Sequence, residues 1–434
     1  ARHEGSGARE LLQLGEGCLL RRRAELAGLS ELLVEADERT MLAAIEALDQ
    51  LTPIAVCDDV EGLRREASAI ESGADLAAIE AMRNEILALV TRVRAGHAQE
   101  VSPRATALTE AARAQAGPVV LAEALRLRGL VEELLGDHEA AATTLTAAVH
   151  EAIAGRHDRL HAELAVHLVW LHGVQRRRGA DARAWVLHAA AAIRALGGEP
   201  ILEARLLDHR GSLASREHDH VAAERLHREA LELRAGPSPR AHVDVAMSMS
   251  NLGLALLSQG KVEEAEPQIE AALERYREVF GPRHPTVAAV LSNLGQAQVR
   301  AGRLERGLAL LREALALKER SLGREHVALL TTLNNLGGVH SELGRGAEAR
   351  EHYLRALAIG ERAFGPDSPQ LESVFHNLAF EAWRLGAFDE VIVETRRALE
   401  IQRRVYGETN AILAPTLELL ARGPCAAACC SRRR

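Results

Sequence analysis

Residues 250–285 read SNLGLALLSQGKVEEAEPQIEAALERYREVFGPRHP, and the triplet Asn251-Leu252-Gly253 in that stretch sets a register. It returns as Asn293-Leu294-Gly295, Asn335-Leu336-Gly337 and Asn377-Leu378-Ala379, at steps of 42 residues. Three further series keep the same step. They are Gly260, Gly302, Gly344 and Gly386; Ala272, Ala314, Ala356 and Ala398, each followed by leucine; and Gly281, Gly323, Gly365 and Gly407. Four kinds of anchor in one register establish an internal repeat, the signature of stacked units.

Each anchor has a physical reading. Gly253 and its counterparts fall inside a helix, where glycine costs roughly 1 kcal/mol against alanine. That cost is tolerable where a second helix must approach closely, and Ala265 and Ala272 offer it a small face. Gly260 ends the first helix as a cap with positive φ. Gly281-Pro282, with Pro285 behind it, ends the second, because proline cannot continue a helix. One unit is therefore a helix of roughly 15 residues, a tight turn, a helix of roughly 18 and a short loop.

The pattern resembles the tetratricopeptide repeat, whose usual period is about 34 residues. The longer form, with Gly281-Pro282-Arg283-His284-Pro285 between units, is similar to the kinesin-light-chain subclass. Gly323-Arg324-Glu325-His326-Val327 departs from that loop at both prolines, which predicts a looser junction. The resemblance implies an all-α fold, a right-handed α-solenoid of tetratricopeptide-type helix pairs behind a helical N-terminal lead-in. Four regions are expected: the lead-in over 1–99, degenerate helix pairs over 100–242, regular repeats over 243–421, and a disordered or aberrant tail over 422–434. In the second region Arg210-Gly211 and Ala230-Leu231 keep the register, with His209 in the asparagine position. Arg128-Gly129 and Gly136-Asp137 outline an earlier unit, and 160–195 a further pair divided near Gly179-Ala180-Asp181. Leu419-Leu420-Ala421 begins a half-unit, either a closing helix or the stump of a longer array.

Composition narrows the function. The chain has 434 residues, 47% of them hydrophobic and only 3% aromatic, a balance that suits long helices. Its net charge of −8 offers no basic field to nucleic acid. No apolar run reaches the roughly 18 residues needed to cross a membrane, and no secretory h-region opens the chain. The first residue is Ala1 rather than Met, so the sequence reads as a processed chain or a fragment.

In the lead-in, Leu26, Leu29, Leu32 and Leu33 form an apolar stripe at helical spacing, which Ile45, Leu48 and Leu51 continue. Breaks fall near Leu51-Thr52-Pro53 and Ser72-Gly73. The segment reads as a cover for the open end of the solenoid. Gly5-Ser6 and Cys18-Leu19-Leu20-Arg21-Arg22-Arg23-Ala24-Glu25-Leu26 resemble the region after the kinase domain in tetratricopeptide-bearing serine/threonine protein kinases of myxobacterial type. So do Leu51-Thr52-Pro53 and Cys57-Asp58-Asp59-Val60-Glu61-Gly62-Leu63-Arg64. That resemblance implies the sensor or docking region of such a kinase. It would lie in the cytoplasm or, as the alternative, in the extracytoplasmic part of a membrane-anchored kinase. The resemblance carries cysteines at both Cys18 and Cys57. Outside the cytoplasm the two can pair; in a reducing cytoplasm they stay free, as small buried hydrophobes. The rival reading is a free-standing scaffold with no kinase relation.

No glycine-rich phosphate loop with its lysine, no H-R-D-x-x-x-x-N and no D-F-G occurs, so this chain itself transfers no phosphate; no cofactor is expected. His157-Asp158-Arg159-Leu160-His161 places two imidazoles one turn apart, the remote sign of a metal-dependent hydrolase. Asp158 is one methylene shorter than the usual glutamate and would reach a zinc-bound water poorly. The segment reads better as a helix start with Asp158 on the dipole. His218-Asp219-His220 reads as a turn. Cys425, Cys429 and Cys430 have no fourth ligand at zinc spacing.

Binding remains. First helices of a tetratricopeptide array line the concave face, and the resemblance puts Asn251, Asn293, Asn335 and Asn377 there as a ladder of amides. Each amide can donate to and accept from the backbone of an extended peptide. The residues before them, Ser250, Ser292, Asn334 and His376, are small or polar. They lack the lysines and arginines that clamp a terminal carboxylate in the chaperone-binding subclass. Alternatively, the asparagines cap or bridge neighbouring helices. The expected partner is a protein or peptide segment in the groove, without nucleic acid or membrane insertion.

Overall fold

A computed structural model of the protein describes residues 2–34, 40, 41, 44, 48, 51, 52, 54–58, 60–68, 76–176, 178–234, 241–408 and 413–421. Among these residues every regular element is helical. The lead-in holds α1 (Arg2–Val34), α2 (Val60–Ser68) and α3 (Leu76–Arg94). Next come α4 (Ala98–Gln115), α5 (Gly117–Leu134), α6 (His138–Ala154) and α7 (Asp158–Trp170). They are followed by α8 (Gly179–Ala195), α9 (Pro200–Arg216), α10 (His220–Arg234) and α11 (Ala241–Ser258). The last seven are α12 (Val262–Phe280), α13 (Pro285–Arg300), α14 (Leu304–Leu322), α15 (Leu330–Glu342), α16 (Gly346–Phe364), α17 (Glu372–Arg384) and α18 (Phe388–Tyr406). The cysteines at 425, 429 and 430 lie outside the described residues. The chain divides into two compact units, Ala1–Gln259 and Gly260–Arg434.

In the second unit the repeat is regular. α13 packs on α14, α15 on α16 and α17 on α18, while α12, α14 and α16 each pack on the helix that follows them. Gly302 and Gly323, one at each kind of turn, have φ of 75° and 88°, which side chains rarely adopt. The mid-helix glycines do permit close approach. A Cβ on Gly295 would lie 2.8 Å from Leu311 Cγ, and one on Gly337 would collide with the ring of Tyr353. At both of these positions the small residue accommodates a large side chain of the partner helix. Ala272, Ala314, Ala356 and Ala398 are fully buried, as small faces in a joint should be.

The junction expected to be looser is built like its neighbour. Gly323 N–H donates to Glu319 O at 3.0 Å and His326 N–H to Gly323 O at 3.4 Å. The matching bonds at Gly281 and His284 are 2.9 Å and 3.4 Å. In each loop the imidazole Nδ1 accepts from the backbone two residues on, at 3.2 Å. A capping histidine therefore holds the turn where the prolines are missing. The half-unit at the end is a helix over 414–421, whose Leu419 packs with Ala379, Ala382 and Val391.

In the first unit, α5 pairs with α6, α7 with α8 and α9 with α10. A π-helical turn, Leu171–Gln175, extends α7 before the break to α8. Gly129 meets Leu145 and Gly211 meets the ring of His227, so the glycine contact persists where the repeat has decayed. Around Gly211 the joint is polar. Asp208 accepts from Ser248 Oγ at 2.8 Å and pairs with His227 Nδ1 at 2.7 Å and with the Arg234 guanidinium. All four residues are buried, and they tie α9, α10 and α11 together.

The lead-in corrects the expected stripe. Leu29 is 2% exposed, but Leu26, Leu33 and Leu48 are 53%, 45% and 52% exposed. The side chains of Leu32 and Ile45 lie outside the described residues. α1 instead buries Cys18, Arg21, Glu25 and Leu29, one helical face that is half charged. Arg21 reaches Glu80 at 3.2 Å, and Glu25 accepts from the Thr52 N–H at 3.1 Å and its hydroxyl at 2.8 Å. Charged partners on other segments, which a hydrophobic pattern does not show, decide which face turns inward. Cys18 and Cys57 form a disulfide that joins α1 to a 3₁₀ turn, Ile54–Asp58.

Candidate peptide-binding face of the first helices

α13, α15 and α17 lie beside one another in the second unit. Residues at i, i+4, i+7 and i+11 follow one line along a helix. On α15 that line is Thr331, Asn335, Gly338 and Glu342, none of them buried. On α13 it is Ala289, Asn293, Gln296 and Arg300, and on α17 Ser373, Asn377, Phe380 and Arg384. Asn293, Asn335 and Asn377 are each half-buried near its centre.

The amides differ in what they bind. Asn377 Nδ2 donates to Asn334 Oδ1 at 3.0 Å, so this pair bridges α17 and α15. Asn335 Nδ2 is buried and has no acceptor among the described residues. His376 Nδ1 lies 3.4 Å from Thr416 Oγ1 of the helix over 414–421. In the first unit Asn251 is half-buried on α11.

Two of the expected contact residues turn away from this line. Ser250 and Ser292 are 6% and 4% exposed. Ser292 Oγ donates to Ala288 O at 3.0 Å and lies 3.2 Å from Thr332 Oγ1. Lys318 Nζ donates to that same Thr332 oxygen at 2.8 Å. Burial lowers the Lys318 ammonium from the ordinary lysine value. Ser292 therefore belongs to a buried polar chain joining α13, α14 and α15. The position before the asparagine looks inward in α13 because it falls about 100° round the helix from the exposed line.

The geometry does not gather His157 and His161 into one site. His157 caps α7, its Nδ1 accepting from Leu160 N–H at 3.5 Å, and its Nε2 faces Glu123 at 3.7 Å. His161 Nε2 instead lies 2.8 Å from His188 Nε2. Burial and then the His188 ring lower the pKa of His161. The two imidazoles serve different partners. Among the described residues, no group of three His, Cys, Asp or Glu side chains could hold a metal ion. At the expected turn, His218 has φ 63° and Asp219 accepts from Ala222 N–H at 3.0 Å.

Residues 244–320, 298–350 and 328–392 match the tetratricopeptide repeat family model. Residues 244–392 are tetratricopeptide repeats. No curated protein sequence matches the chain significantly. Among solved structures, the Rap protein complexed with competence and sporulation factor is 13% identical. That similarity covers 88% of this chain and 98% of the Rap chain, with a TM-score of 0.57. The apo form of the quorum sensor NprR from B. thuringiensis is also 13% identical, covering 87% and 98% with a TM-score of 0.57. A kinesin light chain with nearly identical tetratricopeptide-like repeats from Podosopora anserina is 20% identical over 48% of this chain and 99% of its own, at 0.38. The first two similarities show the fold, an all-α array of tetratricopeptide type. Among the described residues, no helix is long and apolar enough to cross a membrane.

Proposed function

We propose that the protein is a non-catalytic interaction module that holds an extended peptide segment along the line of Asn293, Asn335 and Asn377. Asn334 and His376 flank that line, and Asn251 of the first unit stands one period earlier in the sequence. The observation that carries this reading is Asn335 Nδ2, a buried amide donor without an acceptor among the described residues. An unmet buried donor costs about 1–3 kcal/mol, and a peptide carbonyl would satisfy it. Ala289, Thr331 and Ser373 begin the line without charge, and its charged residues, Arg300, Glu342 and Arg384, stand at the far end, which suits backbone recognition beside the asparagines over capture of a terminal acid. The Rap structure, similar in fold, was solved with competence and sporulation factor bound.

The test is calorimetry on a partner recovered by pull-down. Asn335→Ala should weaken binding by about 1–3 kcal/mol, and Asn293→Ala in addition should weaken it further. Salt should change little, because ion pairs do not dominate the contact. Full affinity in a folded double variant would move the site off this face.

The lead-in supports a finer reading as the regulatory region of a serine/threonine kinase. The Cys18–Cys57 disulfide favours the extracytoplasmic alternative over the cytoplasm, where such bonds are reduced. A kinase domain upstream in the same reading frame would support this, and an unrelated upstream frame would reject it. Thiol titration of protein taken directly from its cells tests the compartment.

A further inference from the structure

The charged face that α1 turns inward closes over a cavity of about 80 Å³ in the first unit. A buried water takes roughly 10–15 Å³ of such volume, so the space admits a group of several heavy atoms. Its apolar wall includes Ile86, Leu87 and Val90. Its polar lining carries five arginines, from α1, α3, α5 and α7, and only the carboxylates of Glu123 and Glu163.

Those carboxylates are already engaged. Arg83 grips Glu123 through Nη2 at 2.6 Å and Nε at 3.0 Å, and Arg159 takes Glu163 at 3.1 Å. Arg22 pairs with Glu25 at 3.1 Å, yet its Nε is buried with no partner among the described residues. Among the described residues Arg126 has only Glu163 at 3.7 Å, an acid shared with Arg159. Positive charge is therefore in excess here, in a chain whose net charge is −8. Burial lowers the pKa of Arg22; Glu25 opposes that, and Arg21 and Arg126 lower it further. Burial and then Arg126 likewise bring nearby Arg94 down to about 10.

Like charges held together in a desolvated pocket destabilise the empty protein and favour whatever neutralises them. Guanidinium forks match planar carboxylates and tetrahedral phosphates alike. We propose that this cavity binds a small oxyanion, a phosphate or a carboxylate group, between Arg22 and Arg126. The site lies outside the peptide-binding face and does not depend on it.

The experiment uses the full chain with its disulfide intact. Thermal unfolding and calorimetry are run with sodium phosphate and with sodium malonate, each against sodium chloride at equal ionic strength. At least one anion should raise the unfolding midpoint, with a rise that grows as the logarithm of its concentration. A response to phosphate alone assigns a tetrahedral ligand, and a response to malonate alone assigns a carboxylate. Arg126→Gln should abolish the response and leave the anion-free midpoint equal to or above wild type, because a repelling charge is gone. Arg126→Lys keeps the charge and loses the fork, and its affinity should fall about tenfold. No response beyond chloride to either anion overturns the proposal. So does a response that both variants retain.

Discussion

Gly337 in the second unit lies against the ring of Tyr353, and Gly211 in the first lies against the imidazole of His227. The joint is the same, but its surroundings are not. Around Gly337 the joint is apolar, with Leu333, Tyr353 and the fully buried Ala356 in one cluster. In the first, His227 belongs to a buried quartet with Asp208, Arg234 and Ser248. The contrast teaches that one backbone geometry tolerates either chemistry, with different failure modes. An apolar joint fails by overfilling. A polar joint fails by losing one partner and stranding the others.

The largest expected effect therefore lies in the first unit. Asp208→Ala leaves the Arg234 cation buried without its carboxylate and should cost about 3–5 kcal/mol in chemical denaturation. Burial alone would raise the Asp208 pKa, but the His227 bond and the Arg234 charge outweigh it and the carboxyl titrates below its usual 3.8. A depressed folded pKa means that this stabilisation is complete above the unfolded value and is lost as pH falls through the folded one. The gap between wild type and variant should hold at neutral pH and close only in strong acid. A gap below about 1 kcal/mol at pH 7 would break the contrast.

Reduction of the Cys18–Cys57 disulfide comes next, at about 2–4 kcal/mol for a loop of this size. Hydrogen exchange reads different segments separately. Protection should fall in α1–α3 and stay unchanged in α12–α18; equal loss in both would mean that the units unfold as one. The smallest effect belongs to the apolar joint. Ala314→Leu should overpack α14 and cost about 1–3 kcal/mol, with exchange rising first in α13–α16. A change within about 0.5 kcal/mol would mean that Ala314 is not at the joint.

Much of the second unit was legible because its determinants are local and periodic. Gly302, Gly344 and Ala314 announce their roles every 42 residues, and the structure puts them at turns and in joints. The first unit was less legible because its determinants are pairs distant in sequence. Arg83 meets Glu123 forty residues away, and Arg21 meets Glu80 across 59. No single-helix pattern contains both members, so Leu26 and Leu33 of α1 pointed to the wrong face. The proposed peptide contacts show a related limit. The repeat identified the asparagines, but only the fold separates Asn377, which holds Asn334, from Asn335, which does not. Ser292 was misjudged because one step along a helix changes what a side chain faces. The cavity lined by Arg22 and Arg126 gave no sequence signal, since its arginines come from four helices.

In the second unit, ion pairs between successive repeats join residues about one period apart, as in Arg345 with Glu305 and Arg350 with Glu390, each pair forty residues apart. Every unit thus meets only its neighbours, and the array has no centre that a change of length would disturb. Excising residues 303–344 would place Arg345 directly after Gly302, where Arg303 now stands. The ruler would be one mark shorter, and its remaining marks would keep their spacing.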